Sequence, residues 1–294
     1  MRKRRQASMD DAIGRQEKRI MDWKSGNDTI LAFNELIRDQ KVAPYEGKLK
    51  VGVDLGTANI VVAVVDENNK PVAGATKSAH VVRDGIVVDY IGAVDIVKDL
   101  KRQIEERLGV DLSNAPAATA IPPGIIEGNT KIIANVVESC DFNVTNVLDE
   151  PTAAATVLGI ENGAVVDVGG GTTGISIIDH GKVVFTADEA TGGTHMSLVI
   201  AGTYHISFDE AEAKKIHESE DKIFPLVKPT VEKMAAIVRR YIEGYDVDTI
   251  YVVGGACEFK KFESVFEREI GIKTVKPVEP LLVTPLGIAF NCKL

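Results

Sequence analysis

The stretch AVVDVGGGTTGISII, residues 164–178, decides how this chain is read. Apolar, mostly β-branched residues run up to Asp167, three glycines and two threonines follow, and β-branched residues resume. The flanks read as strands joined by a very small loop. Backbone that approaches a phosphate closely needs residues this small. A carboxylate at the strand end repels phosphate unless a divalent cation lies between them. A plain hairpin turn fits the same letters, so this stretch alone leaves two readings open.

Context narrows the choice. Residues 169–174, GGGTTG, match the pattern GxGxxG, but a dinucleotide fold needs a helix directly afterwards. Here ISIID, HG and KVVFTA follow, which is a hairpin. No GxxxxGK[ST] occurs, so a P-loop is excluded as well. What remains is a hairpin loop whose backbone N–H groups and threonine hydroxyls can hold phosphate oxygens.

The pattern also occurs twice. Residues 50–76, KVGVDLGTANIVVAVVDENNKPVAGAT, read as strand, tight loop, strand, polar turn and strand. Residues 164–187, AVVDVGGGTTGISIIDHGKVVFTA, repeat that order. Each unit puts an aspartate, Asp54 or Asp167, at the end of its first strand. This internal repeat predicts two related halves facing one another. Gly56 and Thr57 from one loop, with Gly169, Gly170, Gly171, Thr172 and Thr173 from the other, would pinch the terminal phosphates of a nucleotide. Asp54 and Asp167 would then hold Mg²⁺ through water, since that ion keeps part of its hydration shell.

Length allows two domains of common size or one large one. The chain has 294 residues, 45% of them apolar, and a net charge of −9. The charge argues against a nucleic-acid surface. No apolar run is long enough to span a bilayer, and no apolar stretch follows the basic start MRKRRQ as a secretory signal requires. Three scattered cysteines without a CxxC pair read as free thiols of a reducing, cytoplasmic compartment.

Residues 1–47 read as an appendage, charged at first and then helical over 28–40, with Asp28 as N-cap. The expected domains are 48–160 and 161–294. Helices are predicted at 94–108, stopped by Gly109, and at 129–139. Another begins with Pro151 in its first turn and stops at Gly159. Strands are predicted at 117–121 and 144–149. The second half continues with helices at 209–218 and 226–243, a strand at 249–255, a helix at 258–269, and a last helical segment after Thr284-Pro285.

Taken in order, DLGTA at 54–58, DEPTAAA at 149–155, DVGGGTTG at 167–174 and VVGGACEFKKF at 252–262 resemble motifs of the actin-like ATPase superfamily. That superfamily includes DnaK-type chaperones, bacterial actins and sugar kinases. The resemblance covers roughly residues 48–292. VVRDGIVVDYIGAV at 81–94, IPPG at 121–124 and DEATGGTHMSLVIAG at 188–202 narrow it to the EutJ family of ethanolamine-utilisation proteins. The resemblance implies two duplicated α/β domains with mixed sheets around a nucleotide cleft. It implies ATP and Mg²⁺ as ligands, slow ATP hydrolysis, and a chaperone-like role at the ethanolamine microcompartment. A protein partner would be a lyase or a shell component.

It also implies residue roles. Glu150 would orient the attacking water, with Asp54 and Asp167 as the other catalytic carboxylates. A carboxylate at a helix N-terminus is also favourable without any such role. Gly192 and Gly193 would form a third glycine turn near the phosphates, or a plain loop. Gly254 and Gly255 would lie against the nucleoside, or simply join strand to helix. Glu212 and Lys215 would clamp ribose and adenine, although charges at that spacing also make a solvated helix face. His195 reads as a positioned loop histidine rather than a base.

Two departures argue against fast hydrolysis. The interval 70–94 offers only Lys70 and Lys77 for the active-site lysine of DnaK-type proteins, and Asn129 stands where bacterial actins carry a glutamate. The chain length leaves no room for a separate peptide-binding domain. Two alternatives stay open: a small-molecule kinase of the same superfamily, and an actin-like filament or scaffold protein.

Overall fold

A computed structural model describes residues 23–294. The first element, α1, covers residues 23–38. A meander of three antiparallel strands follows: β1 (Leu49–Leu55), β2 (Asn59–Asp66) and β3 (Pro71–Ser78). The β2–β3 turn closes on Asp66, whose Oδ1 accepts the backbone N–H groups of Asn68 and Lys70, each at 2.9 Å. A short hairpin comes next, β4 (Val82–Arg83) and β5 (Ile86–Val87), turning through Asp84 and Gly85 with φ of 49° and 73°. Then α2 (Tyr90–Leu108), β6 (Pro116–Ile121), α3 (Glu127–Glu138), β7 (Asn143–Asp149) and α4 (Glu150–Leu158) complete the first half. Gly109 and Gly159 end α2 and α4 in the left-handed conformation, as the sequence predicts.

The second half runs β8 (Gly163–Val168), β9 (Thr173–Asp179), β10 (Lys182–Glu189), α5 (Gly193–Tyr204), α6 (Phe208–His217), α7 (Glu220–Ile242), β11 (Thr249–Val253), α8 (Phe262–Ile270), β12 (Lys273–Val275) and α9 (Val283–Phe290). The strand orders are β3-β2-β1-β6-β7 and β10-β9-β8-β11-β12. In each sheet the first three strands are antiparallel and the last two run parallel to the central one. The repeat in the sequence is therefore a repeat of the whole sheet.

Both faces of each sheet are covered, which explains why β2 from Ile60 to Val65 and β8 from Ala164 to Val166 are continuous apolar runs rather than alternating. Between the sheets lie α1, α4 and α9, burying Ile30, Phe33, Leu158, Leu286 and Ala289 against Val61, Val165 and Val253. The helices cross over. The second-half helix α9 seats on β1, where a Cβ on Gly52 would run into the backbone of Pro285 and Ala289. The first-half helix α4 packs on β8 and β9.

Several expectations change. Residues 23–47 are not an appendage, because Ile30 and Phe33 on α1 are fully buried. The ring of Phe33 occupies the space that a side chain on Gly74 would need. At its other end α1 touches the second half: Trp23 packs on Tyr251 at 5.6 Å between ring centres, and Asn27 Oδ1 accepts the N–H of Val278 at 2.7 Å. Residues 1–22, with the basic start, lie outside the described residues. A cut at 160/161 would separate α9 from the first sheet on which it sits. The helix α7 begins at Glu220 rather than 226 and keeps Pro225 and Pro229 inside it, because its buried stripe from Ile223 to Ile242 outweighs their breaking tendency. Finally, β12 was not foreseen, and α9 starts at Val283, ahead of Thr284-Pro285.

Phe33→Ala is expected to lower stability by about 3–5 kcal/mol, the usual cost of emptying a buried aromatic site. Urea unfolding followed by circular dichroism measures it. A change under about 1 kcal/mol would mean that α1 is not part of the core.

Candidate functional site

A cavity of about 600 Å³ lies between the two halves at the C-terminal edges of the central strands. β1 and β8 each carry their aspartate one residue before their end there, and Asp54 and Asp167 line the same space. The two glycine loops meet above them. A Cβ on Gly170 would lie 3.2 Å from the backbone N of Ala58, and one on Gly171 would lie 3.0 Å from the Thr57 hydroxyl. The tip of the β4–β5 hairpin closes on the same point, since Asp84 also borders Gly171 and Gly85 lines the cavity.

The cavity wall includes Asp54, Gly56, Thr57, Glu150, Asp167, Gly169, Gly170, Gly171 and Thr172. It also includes Gly193, Glu212, Lys215, Gly254 and Gly255. Two predicted residues do not line it. Thr173 is buried, and its hydroxyl donates to the Thr191 carbonyl at 2.7 Å. Gly192 is pressed behind the loop, where a side chain would collide with the carbonyls of Gly169 and Gly170. The predicted third loop is the start of a helix. The N–H groups of Gly193 and Thr194 donate to the Gly169 and Gly170 carbonyls at 2.9 and 2.8 Å, so α5 braces the phosphate-type loop from below. His195 therefore sits in a helix, not a loop, and its Nδ1 accepts the Gly192 N–H at 3.3 Å.

Glu212 and Lys215 are not a solvated face. Lys215 Nζ lies 2.7 Å from Glu212 Oε1, 2.8 Å from Ser197 Oγ and 3.2 Å from the Gly193 carbonyl. Gly254 follows β11 with φ of 90°, and a side chain there would strike the Asp167 carboxylate. Lys276 gathers the next turn, donating to the carbonyls of Cys257, Glu258 and Phe259 at 3.0, 3.3 and 2.6 Å. The weak lysine candidates lie elsewhere: Lys70 reaches the Pro44 carbonyl, and Lys77 pairs with Asp99 on the surface. Neither they nor Asn129 lines the cavity, and Lys215 is the one lysine or arginine among the described residues that does.

Charge at the floor is unbalanced. Burial, and then the nearby Asp167 carboxylate, push Asp54 up to about 7. Burial pushes Asp167 up to about 6, against the opposing pull of the Thr284 hydroxyl, which donates to Oδ2 at 2.5 Å. Burial, followed by repulsion from Asp167 and Asp54, holds Glu150 well above the usual carboxylate range. Such a group of acids calls for a cation. Among the described residues no three acidic, histidine or cysteine side chains stand close enough to enclose a metal directly. The set fits a hydrated Mg²⁺, whose charge the carboxylates would share through water.

The sequence reading missed Asp188 and Thr284. Burial pushes Asp188 up to about 7, opposed by a bond from Thr172, and its Oδ1 has no partner. On neighbouring strands, Asp167 and Asp188 both pair with Gly174. The signal was an aspartate at the end of the third strand, level with that of the first. Thr284 had no such signal, because only tertiary packing brings it to Asp167.

Comparison with known proteins settles the family. Ethanolamine utilization protein EutJ of Escherichia coli (strain K12) is 46% identical over 252 residues, 85% of this chain and 88% of the relative. The chain belongs to the EutJ family. The solved EutJ of Carboxydothermus hydrogenoformans superposes with a TM-score of 0.86 at 48% identity, covering 91% of this chain and 99% of that one. The family described as Type IV pilus assembly protein PilM also matches, over residues 127–283, so the chain belongs to that broader family too. MreB5 of Spiroplasma citri, solved bound to AMPPNP, shares the fold, with a TM-score of 0.67 at 18% identity over 82% of this chain and 95% of that one. The fold is that of the actin-like ATPases. No helix among the described residues is long and apolar enough to cross a membrane.

The raised carboxylates make stability pH-dependent. Asp54 and Asp167 bind protons more tightly folded than unfolded. Their contribution is full below the ordinary value of 3.8 and is lost as pH rises through about 6 and 7. Between about pH 5 and pH 8 the metal-free protein should therefore lose melting temperature relative to an Asp54→Asn/Asp167→Asn variant. A constant gap across that range would contradict the shared, buried charge.

Proposed function

We propose that this EutJ-family protein binds Mg²⁺·ATP in its interdomain cleft, hydrolyses it slowly, and acts as a chaperone-like switch in ethanolamine catabolism at a bacterial microcompartment. The observation that carries the reading is the meeting of two glycine loops, one from each half, directly above the paired strand-end carboxylates. Residues 48–160 and 161–294 would be the moving domains, exchanging α4 and α9.

The backbone of Gly56 and Gly169 to Gly171, with the hydroxyls of Thr57 and Thr172, would hold phosphate oxygens, because the glycines put no side chain in the way. Asp54 and Asp167 would hold hydrated Mg²⁺, which when bound neutralises the phosphate charge that these acids otherwise repel. Glu150, at the start of α4, stands at the cavity wall as the group to orient water and take its proton. Gly193, Gly254 and Gly255, with Glu212 and Lys215, would receive the nucleoside. Phosphoryl transfer depends on positioned positive charge. With one lining lysine, Lys215, held by Glu212, Ser197 and the Gly193 carbonyl, turnover would be slow, which suits a switch better than a metabolic enzyme. Closure on the nucleotide would change the surface offered to a protein partner, an ethanolamine-degrading enzyme or a shell component.

Calorimetric titration of ATP with and without Mg²⁺, followed by phosphate release, tests this. The expected result is Mg²⁺-dependent binding with release well below the roughly 1–100 per second of typical kinases. Asp167→Ala should abolish the Mg²⁺-dependent part while the circular dichroism spectrum stays unchanged. No binding at about 1 mM nucleotide, weaker than about 4 kcal/mol, would overturn the reading. Turnover stimulated by a small molecule would favour a kinase, and ATP-dependent light scattering a filament.

A further inference from the structure

Thr284 is 4% exposed, and its hydroxyl donates to Asp167 Oδ2 at 2.5 Å. It lies in the first turn of α9, and α9 does not sit on the sheet that carries Asp167 alone. Pro285 and Ala289, the next positions along it, seat on Gly52 of β1, two residues before Asp54. On its other side Gly287 lies so close to the Ala153 carbonyl of α4 that no side chain fits between them. The helix is thus clamped without slack against the strand that ends in Asp54, while its first turn grips Asp167.

We propose that Thr284 is a positioning residue for Asp167. Through it α9 acts as a rigid spacer that fixes the Asp167 carboxylate relative to Asp54, so that both face one hydrated divalent cation. The proposal rests on the nucleotide reading above and adds a part that the glycine loops do not supply. A hydroxyl donor spends one carboxylate lone pair and leaves the others aimed into the cleft. Gly254 borders the Oδ1 side of Asp167, and the Thr284 hydroxyl is what holds its Oδ2 side. Packing and ligand geometry are then coupled: a motion that shifts α9 on β1 turns Asp167 as well. Orientation by a neighbouring hydrogen bond is a common requirement of metal-holding carboxylates.

The test uses the full chain and three proteins: wild type, Thr284→Val and Thr284→Ser. Valine keeps the shape and removes the donor, and serine restores the donor without the methyl group. ATP binding is titrated with Mg²⁺ and again with EDTA, and thermal melting monitors the fold. The expected result is that Thr284→Val loses about tenfold or more of the Mg²⁺-dependent gain in affinity, the scale of one hydrogen bond to a charged group. Binding in EDTA should be unchanged, and Thr284→Ser should return most of the loss. Equal Mg²⁺ dependence in wild type and Thr284→Val would overturn the proposal. So would equal losses with and without Mg²⁺, or no rescue by serine, because each points to packing alone. Absence of Mg²⁺-dependent binding in the wild type would instead sink the nucleotide reading itself.

Discussion

The structure depends on one packing constraint, the close crossing of α4 and α9 between the two sheets. Gly52 on β1 and Gly287 on α9 allow backbone-to-backbone approach that any side chain would prevent. Each helix belongs to one half by sequence and rests on the other by packing. The two sheets are therefore tied at their centres, and the strand ends of β1 and β8 open toward a common cleft. The apolar layer around the crossing, with Ile30, Phe33, Leu158 and Leu286, carries the hydrophobic stabilisation of that arrangement. The carboxylates beside it are an expense, since burial raises all of them. An arrangement that costs stability in the ligand-free protein points to function at that place.

The electrostatics and the backbone geometry agree about which ligand suits the cleft. Acidic groups on the floor refuse a bare anion and welcome a cation. Small glycine-rich loops above them, where backbone can come close to a ligand, suit an anion. The metal–nucleotide complex proposed above brings both signs together.

Much of this was legible in the sequence because it is local. A strand ending in aspartate, followed at once by small residues, can be read twice in one chain, and the repeat predicted the duplicated sheets. Helix stops such as Gly109 and Gly159 were legible for the same reason. What escaped was nonlocal. Residues 28–40 carried a clear amphipathic pattern, yet nothing in them says that Phe33 fills the hollow beside Gly74. Thr173 and Thr172 look equivalent as letters, but Thr173 opens β9 with its hydroxyl on Thr191, while Thr172 stays in the loop at the cavity. The glycines of ATGGTH looked like a loop because glycine at a helix start weakens the helical signal. The carbonyls of Gly169 and Gly170 supply the acceptors that make a helix there favourable. The spacing of Glu212 and Lys215 fitted a solvated face as well as a ligand clamp, and the contact that excludes the first comes from Ser197 on another helix.

The most direct test of the central claim is a crystal structure of this protein with a non-hydrolysable ATP analogue and Mg²⁺. The account predicts terminal phosphates held between the Gly56–Thr57 and Gly169–Thr172 loops, with one hydrated ion facing both Asp54 and Asp167. A nucleotide bound outside this cleft, or phosphates held by one loop only with the ion away from either carboxylate, would contradict it.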